Sequence, residues 1–256
     1  MDSSAFRGLY IKEWKMMKGF YIGQFIVALI FVIAADAMSG ASIFESLVGL
    51  LTFGFIILPG AVLFSLNTES NQLEIFLHNP QSIHKMLFVK FLNGLFFSLS
   101  FLIILAVVAV CFEMIWGASI QSGLDSFSLL IFLIVHMMVV SVYPTVILVF
   151  LWTLHQIWRT YIHGLSIVAV VLLLIVGIQL MSLFRSTTFY EVLTKWGVIF
   201  IPDERSGDYL SISFGLGEIS GGVDARIFFG SYVFYGLLVL LLYGVSAYLL
   251  DRKVEV

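Results

Sequence analysis

The sequence predicts an all-α fold, a polytopic membrane protein of about six transmembrane helices, and three observations predict it. Hydrophobic residues make up 61% and charged residues 11% of the 256, with a mean hydropathy of +1.07, whereas roughly a quarter of the residues of a soluble domain are charged. Apolar runs long enough to cross a bilayer, which takes roughly 20 residues each, recur along the whole chain. The charged residues gather between those runs. Residues 1–256 are expected to form a single transmembrane domain, which leaves no room for a soluble catalytic domain.

Residues 4–18 carry Phe6, Leu9, Tyr10, Trp14 and Met17 on one helical face and Arg7, Lys12, Lys15 and Lys18 on the other. This spacing predicts an amphipathic helix lying in the membrane interface with its cations toward lipid headgroups. A plain juxtamembrane stop of positive charge is the simpler alternative. The same stretch has no short apolar region followed by a small-residue cleavage site, so no cleaved signal peptide is expected.

The first crossing is expected at about 20–35 and the second at about 44–66, where Pro59 should kink the helix near its cytoplasmic end. A polar stretch follows over 67–90. The third crossing runs over about 86–112 and the fourth over about 127–151, with His136 and Pro144 inside it. A connection bearing His155, Arg159 and His163 leads to the fifth crossing at about 165–184. A loop over 185–226 mixes both signs of charge with Gly, Ser and Pro202, and the last crossing runs over about 227–250. Within that loop the apolar run 189–201 is too short to span, and reads either as a half-inserted or interfacial helix or as an ordinary folded loop.

Six crossings put both termini on one side. Arg7, Lys12, Lys15, Lys18, Lys85, Lys90, Arg159, Arg252 and Lys253 fall on that side; Arg185, Lys195, Arg205 and Arg226 fall opposite, all in the one long loop. Long loops weigh little in the positive-inside rule and the two short ones hold no cation, so both termini and the polar stretch are expected to be cytoplasmic.

Chemistry-bearing groups are sparse. His136 is the candidate intramembrane polar site, with Glu113 and Asp125 near a boundary, because an ionisable group in hydrocarbon is costly to keep. The plainer expectation for His136 is a neutral interhelical hydrogen bond. Ser141 and Ser166 lack any local mark of a nucleophile, since such a serine wants a base on a neighbouring helix. His78 and His84 are six apart with Pro80 between them, not a metal-ligand spacing. The lone Cys111 in an apolar run excludes a disulfide framework and reads as packing. There is no phosphate-binding glycine loop, and the nearly charge-free membrane interior argues against a self-sufficient ion-coupled carrier. Neither catalysis, cofactor, metal nor nucleic acid is expected.

The polar stretch 67–90 holds Glu69, Glu74, Lys85 and Lys90 around a small apolar set, which predicts that it lies in water at the membrane surface. If Asn67 or Thr68 caps a helix ending before Pro80, Glu69 sits in its favourable first turn and Leu73, Phe76 and Leu77 share one face. An exposed apolar ridge flanked by charge suits a groove on a partner protein. The alternative is a loop whose apolar residues rest on the membrane.

The pattern E-x-x-x-L-E-x-x-L-x-x-P-x-x-x-x-K, here Glu69, Leu73, Glu74, Leu77, Pro80 and Lys85, together with the amphipathic N-terminus and six crossings, resembles the membrane subunits of ABC-2-type exporters. His84 stands where that family often has Arg, and Val89 where Gly often precedes the Lys. The resemblance implies that residues 67–85 contain a coupling helix docking into a separate cytoplasmic ABC ATPase through Glu69, Leu73, Glu74, Phe76, Leu77, Pro80, His84 and Lys85. It also implies a second permease subunit, identical or related, and export of an apolar or amphipathic cargo such as a hydrophobic antibiotic, an antimicrobial peptide or a lipid-like molecule. A membrane anchor or regulatory subunit of a signalling complex, and a stand-alone secondary transporter, are the competing classes.

Overall fold

The computed structural model describes residues 3–39, 43–70, 82–116, 126–200 and 227–252. Its helices are α1 (Ser3–Ser39), α2 (Ile43–Thr52), a 3-10 turn (Phe53–Ile56), α3 (Ile57–Ser70), α4 (Ile83–Trp116), α5 (Ser126–Ile162), α6 (Leu165–Arg185), α7 (Thr188–Thr194) and α8 (Phe229–Arg252). A minimal antiparallel ribbon pairs β1 (Val198–Phe200) with β2 (Ile227–Phe228). Among the described residues six helical segments are long and apolar enough to cross a membrane, as the sequence predicts. Their outward faces agree: Ile26, Val27, Leu29 and Ile30 on α1, and Leu172, Ile175 and Val176 on α6, are all exposed. Water would not tolerate so much contiguous apolar surface.

The chain divides into two compact units, Met1–Val142 and Tyr143–Val256. In the first, α1, α3 and α4 alternate in direction. Along α4, Lys90 meets Glu13, Phe97 meets Met17 and Tyr21, and Ser100 meets Tyr21, so α1 runs parallel to α4. Against the same helix, Lys90 meets Ser65, Gly94 faces Leu58 and Val62, and Gly54 faces Leu102, so α3 runs antiparallel to it. The core beside α1 is Met17, Ala61 and Phe97, with Phe20 and Tyr21 packed on it. Trp14 stacks on Phe97 at 4.7 Å between ring centroids.

In the second unit, Thr187 caps α7 by accepting from the Tyr190 N–H at 3.3 Å. Gly197, at φ 67°, turns the chain into the ribbon, and its carbonyl accepts from the Phe229 N–H at 2.7 Å. A left-handed φ of this kind favours glycine. Phe184, Tyr190, Phe234 and Tyr235 form one aromatic set.

Several expected elements take a different form. No separate interfacial helix exists over 4–18, because α1 continues without a break into the first crossing. Of its apolar face, Met17 packs on α3 and α4 and Trp14 on α4. The break in the second crossing falls at Phe53–Ile56, before Pro59 and not at it. The ring of a proline clashes with the carbonyl four residues earlier, here that of Phe55, so the tighter turn forms on the N-terminal side. Asn67 and Thr68 do not cap a new helix. They continue α3, and Thr68 Oγ1 donates to the Phe64 carbonyl at 2.8 Å, a mid-helix bond. The fourth helix runs on through most of the expected connection, which shrinks to His163–Gly164. The apolar run 189–201 yields only the seven-residue α7 and one ribbon strand.

Candidate functional site

Three helical positions of the first unit converge on one buried ammonium. Lys90 Nζ lies 2.8 Å from Glu13 Oε1 and 2.6 Å from Ser65 Oγ as hydrogen bonds, and 2.7 Å from Glu69 Oε2 as an ion pair. An ammonium has three donors and no acceptor, and here three oxygens surround it. Ser65 Oγ donates in turn to Glu13 Oε2 at 2.7 Å. The remaining oxygen of Glu69 pairs with the Lys12 ammonium. Two carboxylates and two ammoniums therefore make a cluster with no formal net charge.

The burial is deep. Glu13 and Lys90 are each 2% exposed and Glu69 9%. Below them the Met17, Ala61 and Phe97 layer, with Trp14 stacked on it, closes the cluster toward the apolar side. Asn93, one turn along α4 from Lys90, donates to the Tyr10 carbonyl at 3.5 Å and ties the same two helices again. Charges taken out of water recover their hydration only through close, complete pairing of this kind.

Sequence periodicity explains why these side chains meet. Glu13 sits three residues after Tyr10 and four before Met17, within the apolar stripe of α1 and not on its cationic face. Lys90 lies on the α4 stripe with Met86, Leu87, Asn93 and Phe97, all buried. Ser65 and Glu69 are four apart on α3, one turn above the other. A lone charge at the centre of an apolar stripe is the signal that identifies Glu13, which composition and charge counting pass over.

One expectation about the polar stretch is corrected here. Glu69 and Lys90 do not need water, because they satisfy each other inside the helix packing. Glu69, expected to meet the ATPase, has both oxygens engaged by lysines of its own chain. Of the other residues assigned to docking, His84 and Lys85 are exposed on the first turn of α4, while Leu73, Glu74, Phe76, Leu77 and Pro80 lie outside the described residues. His136 is buried on α5 and its ring stacks on Phe132, one turn earlier, at 5.7 Å between centroids. Ser166 does approach a base, with Oγ 3.0 Å from His155 Nδ1, but its hydroxyl donates to the His163 carbonyl at 2.6 Å and is fully buried. It braces the turn between α5 and α6. Among the described residues no group of His, Cys, Asp and Glu could hold a metal ion.

The cluster's members are unequal. Lys12 is 60% exposed at its side chain, so its pairing with Glu69 is screened by solvent. Lys12→Ala is expected to cost less than about 1 kcal/mol in unfolding of the purified chain, the range of an exposed ion pair. Comparison of the chain with family models, with curated proteins and with solved structures finds no match.

Proposed function

We propose that the chain is the membrane subunit of an ATP-driven exporter of the ABC-2 type. It docks through the polar segment between α3 and α4 onto a separate cytoplasmic ATPase, and pairs with a second permease subunit in a bacterial plasma membrane. The supporting observation is the buried Glu13, Ser65, Glu69 and Lys90 cluster. Glu69 is in the last turn of α3 and Lys90 is two turns into α4, so both ends of the polar segment are fastened to α1 at one place. A docking element on such a base passes displacement to three helices instead of dissipating it in a loose loop. In this reading Leu73, Phe76 and Leu77 are the apolar contacts, Glu74 and Lys85 the charged ones, His84 lies beside them and Pro80 ends the element. Glu69 anchors the base.

The apolar walls of the helices suit an apolar or amphipathic cargo, a hydrophobic antibiotic, an antimicrobial peptide or a lipid-like molecule, and ATP hydrolysis resides on the partner chain. The test is to express the chain with its neighbouring genes, purify through it, and measure what ATPase accompanies it. Glu74→Lys with Leu77→Asp is expected to lower copurified ATPase and coupled turnover at least about tenfold, since an interface anchor contributes roughly 1–3 kcal/mol. Absence of any ATPase from the wild-type preparation defeats the exporter reading and favours a membrane anchor or a stand-alone carrier. An ATPase that remains bound and coupled to the double variant defeats the docking element alone.

A further inference from the structure

The second unit holds a cleft of about 460 Å³ bounded by the C-terminal half of α5, α6 and α8. Phe150, Leu174, Met181 and Leu241 represent its wall, which is almost wholly aliphatic and aromatic; Tyr143 and Arg185 are its polar members. The volume is that of a small-molecule site. Arg185 stands in the last turn of α6, and its Nε is buried with no hydrogen-bond partner among the described residues. Its guanidinium lies 5.9 Å from the centroid of the Tyr235 ring. No carboxylate forms an ion pair with it among the described residues.

Arg185 is not needed to finish its helix. The Ser182 carbonyl accepts from the Ser186 N–H at 3.3 Å, that of Leu183 from Ser186 Oγ at 2.8 Å, and that of Phe184 from Thr187 Oγ1 at 2.6 Å. A guanidinium is charged at every accessible pH and its planar fork matches a phosphate or carboxylate. An apolar channel ending at such a group has the polarity of an amphiphile: hydrocarbon along the wall, an anion at one end.

We propose that this cleft binds an anionic lipid, one acyl chain lying along α6 and the headgroup phosphate on Arg185. An apolar helix of a second copy would fill the wall but offer the guanidinium no counter-charge of its own, and covering a charge without pairing it is costly. A free anion would use Arg185 and none of the wall. The site depends on the membrane setting alone and not on any ATPase.

Gly177 supplies a clean probe, because it lines the cleft and a Cβ built on it meets nothing within 4 Å. The full chain in detergent is titrated with phosphatidylglycerol or phosphatidylcholine of the same acyl composition and read by native mass spectrometry, with inorganic phosphate as a third ligand. Phosphatidylglycerol is expected to bind about tenfold more tightly than phosphatidylcholine, the effect of one charged hydrogen-bonded contact. Arg185→Gln should bring the two lipids level, Arg185→Lys should keep part of the preference, and Gly177→Phe should remove both. Equal binding of the two lipids by the wild type overturns the proposal, as does indifference to Arg185→Gln. Inorganic phosphate that displaces the lipid and still binds Gly177→Phe makes this a free-anion site and overturns it too. A Gly177→Phe chain that changes only its oligomeric state assigns the cleft to a protein contact and likewise overturns the lipid site.

Discussion

Lys90→Met is expected to destabilise the chain by about 3–5 kcal/mol, the cost of removing one partner from a buried ion pair. The substitution is close in volume and apolar, so little of the loss comes from packing. What it leaves behind is Glu13, 2% exposed, facing Glu69 with only the solvent-exposed Lys12 to offset their charge. Unfolding of the purified chain by heat or by denaturing detergent measures the loss. The pairing in particular is isolated by adding Glu13→Gln to Lys90→Met, which leaves one carboxylate against Lys12 and restores neutrality. That double variant should regain most of the lost stability. A double variant no more stable than the single one, or a single variant costing under about 1 kcal/mol, would show that the cluster does not carry the helix packing.

Gly94→Val is the second large effect, at about 1–3 kcal/mol from overpacking. A Cβ on Gly94 would stand 2.8 Å from Leu58 Cδ1 and 3.1 Å from Val62 Cγ2, where α3 crosses α4. Gly54 makes the same approach further along, a Cβ there overlapping Leu102 Cδ2. Small residues that let backbones close together are how helices associate without a hydrophobic drive between them. Alanine makes the test sharper, because replacing a helical glycine by alanine gains about 1 kcal/mol where there is room. Gly19→Ala, with nothing within 4 Å of its Cβ, should therefore stabilise, while Gly94→Ala should gain nothing or lose. Equal gains at both positions in the same unfolding assay would mean that the α3–α4 contact is loose.

The six long apolar helices were legible because apolar length is a property of the sequence alone, and a run such as Leu165–Arg185 has the length and hydropathy to cross a membrane. Their ends were less legible. The fourth helix extends to Ile162 since His155, Arg159 and Tyr161 are compatible with helix, and nothing before His163 and Gly164 stops it. The cluster was the least legible part. Glu69 and Lys90 read as water-facing when each was weighed by itself, and only their pairing across 21 residues, with Glu13 from 56 residues before Glu69, removes the need for water. Distance in sequence hides such partners, whereas a stripe interrupted by a single charge, as in Tyr10, Glu13, Met17, discloses one of them.

The unbroken course of α1 has a mechanical meaning. At a rise of about 1.5 Å per residue, the arm from Glu13 to Ala34 is roughly 32 Å, about the thickness of the hydrocarbon layer. Glu13 is pinned at one end of that arm, and no proline, 3-10 turn or cap lies along it to absorb rotation. Were the helix to turn about that end, it would act as a stiff lever with the ionic cluster as its fulcrum. Rotation of roughly 10° about that fulcrum would sweep the far tip through about 6 Å. A displacement too small to matter where it is applied becomes, across the bilayer, the width of a side chain.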